Sequence, residues 1–129
     1  MPLVHTCIRV LNPERSIAFY EALGFKETKR EMIGNDAMNI HMGLPEDGAE
    51  PSLEITVNLG RTEPYLIGDG YGHIAVTAPE LDAKLEELAT KGILPERPPF
   101  SGTKGGTRIC FLRDPDGYRI ELLGRNKRV

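Results

Sequence analysis

The chain is written twice, and that repeat limits the folds open to it. Residues 5–10 (HTCIRV) are rich in β-branched side chains and alternate in character, which predicts a strand. Asn12 and Pro13 suit the start of a helix. Ile17, Phe19, Tyr20 and Leu23 follow as its apolar residues, and Gly24 can end it. Strand-like segments follow near 25–30, 37–42 and 52–58. The same order then returns. Residues 72–77 (GHIAVT) predict a strand, and Pro79 and Glu80 open a helix. Leu81, Leu85 and Leu88 follow at helical spacing, and Gly92 closes it. Strands are expected near 93–97, 107–112 and 118–123, with a turn at Asp114–Gly117 (DPDG) before the last. Each half therefore reads βαβββ. The expected fold is α+β, with two such modules at about 1–60 and 71–124 and curved mixed sheets. The polar stretch 60–71 links the modules, and the whole of 1–129 is expected to form one domain.

The repeat gives meaning to four ionisable residues that interrupt its strands. His5 opens the first strand of one half and His73 the first strand of the other. Glu54 lies in the last strand of its half and Glu121 in the last strand of its own. Glu54 follows His5 by 49 positions, and Glu121 follows His73 by 48. Taken singly, a histidine at a strand start or a glutamate on a strand is an ordinary surface group. Recurring at equivalent positions, two imidazoles and two carboxylates can converge on one divalent cation, which offsets the cost of burying the carboxylates. Such an N₂O₂ set suits zinc, nickel, cobalt or manganese, and open coordination positions would make it catalytic.

Strand alternation extends the set. His5, Cys7 and Arg9 are expected on one face, with Glu54, Thr56 and Asn58. Ile8, Val10, Ile55 and Val57 face the other way. Arg9 is thus placed to hold a carboxylate. Cys7 is read as a lining residue and His41, with no counterpart in the repeat, as structural. Cys7 and Cys110 sit in strand-like segments without a CxxC or CxxH pair. They are expected to be buried free thiols rather than a disulfide or a structural zinc site.

Composition excludes other classes. With a net charge of −3 and scattered lysines and arginines, the chain lacks the basic patch of a nucleic-acid binder. No apolar run approaches the ~20 residues that span a bilayer. The apolar part of MPLVHTCIRV is short and is broken by Arg9, unlike a signal peptide, so a cytoplasmic protein is expected.

Four blocks, HTCIRVLNPERSIAFYEALGF, LEITVNLG, GYGHIAV and DPDGYRIELL, resemble the corresponding stretches of glyoxalase I (lactoylglutathione lyase), a branch of the vicinal-oxygen-chelate superfamily. They run from residue 5 to 123. The resemblance implies metal ligands at His5, Glu54, His73 and Glu121, with one divalent metal per site. Nickel is favoured for a chain this short, and cobalt or zinc are the alternatives. It implies glutathione as co-substrate, with Arg9, Asn58 and Lys104 (in GTKGGT) binding the thiol. It implies conversion of the hemithioacetal of methylglyoxal and glutathione to S-lactoylglutathione through an enediolate. Glu121 would be the catalytic base and Glu54 its pseudo-symmetric counterpart. It also implies a homodimer whose sites are shared between subunits. The chain departs from the family pattern at Asn58-Leu59-Gly60, where an aromatic is usual, and in a helix-to-strand join at EALGF one residue shorter than in many members. The alternatives are another enzyme of the superfamily, such as methylmalonyl-CoA epimerase, or a metal-free small-molecule-binding resistance protein.

Overall fold

The structure is a computed structural model and describes residues 1–48, 51–101 and 107–124. The chain divides into two compact units, Met1–Leu66 and Ile67–Val129.

The first unit contains β1 (Thr6–Val10), α1 (Pro13–Leu23), β2 (Lys26–Ile33), β3 (Ala37–Gly43) and β4 (Leu53–Asn58), with a 3₁₀ turn at Pro45–Asp47. Its sheet runs β1-β4-β3-β2. β1 lies parallel to β4, a pairing that needs the α1 crossover, and the remaining pairs are antiparallel. α1 begins where Asn12 Oδ1 accepts the Arg15 backbone N–H (3.1 Å), with proline in the first turn. It ends at Gly24, whose φ of 108° is a left-handed conformation that glycine adopts without a Cβ clash. The Phe25 N–H then donates to Tyr20 O (3.0 Å), closing the terminus. Alternation sends Ile8, Val10, Leu53, Ile55 and Val57 to the buried face, together with Ile40 and Met42, while α1 buries Phe19, Tyr20, Ala22 and Leu23. Burial of side chains of this size is worth roughly 1.5–3 kcal/mol each. β2 is an edge strand and is exposed along its whole length. Its charged sequence, KETKRE, discourages pairing with other chains.

The second unit repeats the order with β5 (Ile74–Thr77), α2 (Leu81–Thr90), β6 (Phe100–Ser101), β7 (Arg108–Arg113) and β8 (Arg119–Leu123), arranged β5-β8-β7-β6. β5 and β8 are parallel. α2 also ends on a left-handed glycine, Gly92 (φ 78°), after which the Ile93 N–H donates to Leu88 O (3.0 Å). The two helices thus terminate in the same way at equivalent positions. The fold is α+β with two βαβββ sets, as the pattern predicts.

Two expectations need correction. The strand expected near 93–97 is absent, and among the described residues β6 comprises Phe100–Ser101. Pro95, Pro98 and Pro99 remove three of the N–H donors that a ladder needs. One backbone bond survives, from Glu96 N–H to Phe111 O (2.9 Å). The second correction concerns the thiols. Both cysteines are free and Cys110 is fully buried, but Cys7 is exposed. Its position on β1 alternates with Ile8 and Val10, so it occupies the open face of the sheet.

Candidate metal centre

Each unit brings one histidine and one glutamate together. His5 stands one residue before β1, beside β4, which carries Glu54. His5 Nε2 lies 3.1 Å from Glu54 Oε2, and both side chains are partly exposed. His73 stands one residue before β5, beside β8, which carries Glu121. Its Nε2 lies 3.6 Å from Glu121 Oε1. The parallel pairings of β1 with β4 and of β5 with β8 create these contacts. Each places the start of the first strand of its module next to the start of the last.

The 3.1 Å separation fits two ligands of one cation, and the 3.6 Å separation is slightly wider than that. Donors about 2.1 Å from a metal, at angles between square and tetrahedral, lie about 3.0–3.4 Å apart. Imidazole nitrogen with carboxylate oxygen is also the donor chemistry of zinc, nickel and cobalt centres. Each unit therefore presents one imidazole nitrogen and one carboxylate oxygen side by side. Among the described residues, no group of three or more His, Cys, Asp or Glu side chains is placed to hold a metal.

The other expected residues fall as follows. Arg9 pairs in register with Thr56, and Cys7 with Glu54, so Arg9, Cys7, Glu54 and Thr56 share the open face with Asn58. Tyr65 Oη donates to Asn58 Oδ1 (2.7 Å), and the Arg61 guanidinium covers the Tyr65 ring at 3.9 Å. Cys7 Sγ lies 3.3 Å from Thr56 Oγ1, whose hydroxyl donates to Asn39 Oδ1 (2.7 Å). Partial desolvation pushes the Cys7 thiol above its ordinary pKa, with Thr56 opposing and the nearby Glu54 charge adding to the rise. Lys104 lies outside the described residues.

From the sequence alone His41, which has no counterpart in the repeat, is expected to be structural. The structure puts it in register with Glu54 on the open face. Only 7% of its surface is exposed. Its Nε2 lies 3.2 Å from Glu31 Oε1 and its Nδ1 lies 3.9 Å from Glu54 Oε2. The signal available in the sequence was parity. His41 is separated by an even number of positions from Asn39, and Asn39 faces the same way.

Comparison with known proteins agrees with this architecture. The model of the Glyoxalase/Bleomycin resistance protein/Dioxygenase superfamily matches residues 3–122. A protein of Synechocystis sp. described as a probable lactoylglutathione lyase is 33% identical over 125 residues, covering 95% of each chain. The lactoylglutathione lyase of Salmonella typhimurium is 36% identical over 127 residues, covering 95% of this chain and 92% of that protein. The crystal structure of glyoxalase I from Zea mays superposes with a TM-score of 0.85 at 32% identity, covering 97% of this chain and 45% of that one. The chain spans less than half the length of the plant proteins it matches.

Proposed function

The chain belongs to the Glyoxalase/Bleomycin resistance protein/Dioxygenase superfamily, and from that premise we propose that it is a metal-dependent lactoylglutathione lyase. In this reading it converts the hemithioacetal of methylglyoxal and glutathione to S-lactoylglutathione, in the cytoplasm and as a homodimer. The observation that carries the reading is the repeated His–Glu pair, with nitrogen-to-oxygen distances of 3.1 and 3.6 Å at equivalent positions of two modules. Relatives whose chains this one covers almost end to end bear the same activity in their names.

His5, Glu54, His73 and Glu121 would hold the cation, with nickel favoured over cobalt and zinc. When bound, a divalent cation supplies Lewis-acid stabilisation of the oxygen charge of an enediolate. The remaining work belongs to side chains. A proton leaves the carbon beside a carbonyl and returns to the neighbouring carbon, so one group must accept it and give it back. Glu121 is the base, its carboxylate oxygen receiving the proton and returning it. Glu54 keeps to the role of ligand. Arg9 and Lys104 hold carboxylates of the thiol. Asn58 offers a donor from its amide nitrogen, because its oxygen already accepts from Tyr65. Anchoring the remote part of the substrate in this way fixes the reacting carbons against the base.

The test is reconstitution of apo-protein with Ni²⁺, Co²⁺, Mn²⁺ and Zn²⁺, followed by assay of hemithioacetal isomerisation with glutathione and other small thiols. Activity highest with Ni²⁺ and glutathione is expected. Inactivity with every metal and thiol would remove the reading.

A further inference from the structure

Asn58 ends β4 on the open face of the first unit, four positions beyond Glu54 and roughly 13 Å along the strand. What holds its side chain comes from the segment that follows. The chain leaves β4 through a turn in which the Arg61 N–H donates to Asn58 O (3.2 Å) and Gly60 takes a left-handed φ of 83°. The Leu59 N–H donates to Asp36 O (2.8 Å), which ties this turn to the connection between β2 and β3. The half-buried Tyr65 then returns to the end of the strand, where its hydroxyl donates to Asn58 Oδ1 (2.7 Å).

Arg61 holds Tyr65 in that place. Its guanidinium lies over the Tyr65 ring at 3.9 Å. Its Nε donates to Glu63 O (2.8 Å) and its Nη2 to Pro64 O (3.1 Å). One side chain thus clamps both the ring and the backbone that leads into it. The consequence falls on Asn58. The two ends of an amide are almost the same size, so a hydrogen-bond partner, and not packing, decides which way it points. A phenol can donate or accept. A cation over the face of its ring draws electron density from the oxygen, which favours donation. Tyr65 therefore occupies the carbonyl end of Asn58 and leaves its NH₂ group for a ligand. The carboxylates of a peptide thiol are acceptors only, and an amide turned the other way would present lone pairs to them.

We propose that Tyr65, clamped by Arg61, is a positioning residue that sets the orientation of the Asn58 amide and so makes this end of the open face selective for an acceptor group of the thiol. The inference rests on the thiol-binding role given to Asn58 above. It gives the segment after β4 a part in substrate recognition as well as in joining the modules.

The experiment measures binding of S-methylglutathione, whose blocked sulfur forms no hemithioacetal, to Ni²⁺-reconstituted protein by isothermal titration calorimetry. The proteins are the wild type, Y65F, R61M, N58A and the double variant Y65F/N58A. Y65F removes one oxygen and keeps the ring beneath Arg61. It should weaken binding about threefold to tenfold, the worth of one hydrogen bond. KM should rise by a similar factor while kcat stays within about twofold, because Glu121 and the His–Glu pairs are untouched. R61M keeps the phenol and removes its clamp, and should weaken binding in the same direction. N58A should weaken it at least as much as Y65F. The double variant carries the decision. A residue that acts through Asn58 costs nothing further once Asn58 is gone, whereas a merely structural loss carries over in full. Wild-type affinity in Y65F or R61M, or an undiminished Y65F effect in the N58A background, overturns the proposal and leaves the role of Asn58 standing. Wild-type affinity in N58A removes that role and the proposal with it. A wild-type chain that binds no S-methylglutathione removes the glutathione reading as well.

Discussion

Glu54 and Glu121 are the same amino acid at equivalent positions, yet the proposed chemistry requires different things of them. A ligand is needed at a fixed point, whereas a base must reach a substrate proton and release it. E121Q keeps the shape of the side chain and removes its basicity. It should leave the unfolding midpoint close to wild type and lower kcat about 10²–10⁴-fold, the usual worth of a positioned base. KM should change far less, because the proposed thiol-binding residues are untouched. Steady-state kinetics at saturating metal test this, and near-normal turnover would exclude Glu121 as the base. The pairing of these residues could be read before any coordinates, because a duplicated strand pattern exposes residues that recur. His41 could not be read in the same way. It does not recur, and its place depends on which strand lies antiparallel to β4. Cys7 shows a related limit. Its strand was correctly expected, but a short apolar side chain does not say whether its face is covered.

Regular elements follow local chemistry closely in this chain. Asn12 and Pro13 start α1, Gly24 and Gly92 end the two helices, and alternation sorts β1 and β4 into two faces. The segment 93–99 is where that logic breaks. Its apolar residues suggest a strand, but its prolines cannot donate to one. Side chains hold it instead. Glu96 accepts from Arg119 through Nε (3.0 Å) and Nη2 (2.9 Å), and Arg113 Nε lies 3.0 Å from the same carboxylate. The cluster ties the segment to β7 and β8. The Arg119 bonds, helped by the charges of Arg119, Arg113 and Arg97, hold the Glu96 carboxyl below its ordinary pKa. A carboxylate depressed in the folded state stabilises the fold above its unfolded value, about 4.3, and that contribution is lost as pH falls through the lower folded value. E96Q should therefore be slightly less stable than wild type at neutral pH. Its unfolding midpoint should also fall less on acidification to about pH 3. The difference should amount to a few degrees at most, because the partners are substantially exposed. Parallel acid-induced drops in the two proteins would show that the cluster contributes nothing.

In the proposed metal centre each unit supplies one nitrogen and one oxygen donor, so a four-donor set would draw on two units. They can belong to one chain or to two copies, and the arithmetic of complementation separates the cases. H5A breaks the pair of the first unit and leaves the second intact. E121A does the reverse. If a site combines the first unit of one subunit with the second unit of its partner, an H5A/E121A heterodimer has one site carrying both defects and one carrying none. Random exchange makes half the dimers mixed, so about a quarter of wild-type activity should return from two inactive proteins. If each site is built within one chain, every site in the mixture carries a defect and mixing restores nothing. Subunit exchange must be verified independently, by differential tagging of the two variants and recovery of doubly tagged dimers. Return of activity in proportion to the doubly tagged fraction supports shared sites. Its absence with exchange complete would assign the centre to a single chain, and the duplication would then serve to close one site rather than to join two subunits.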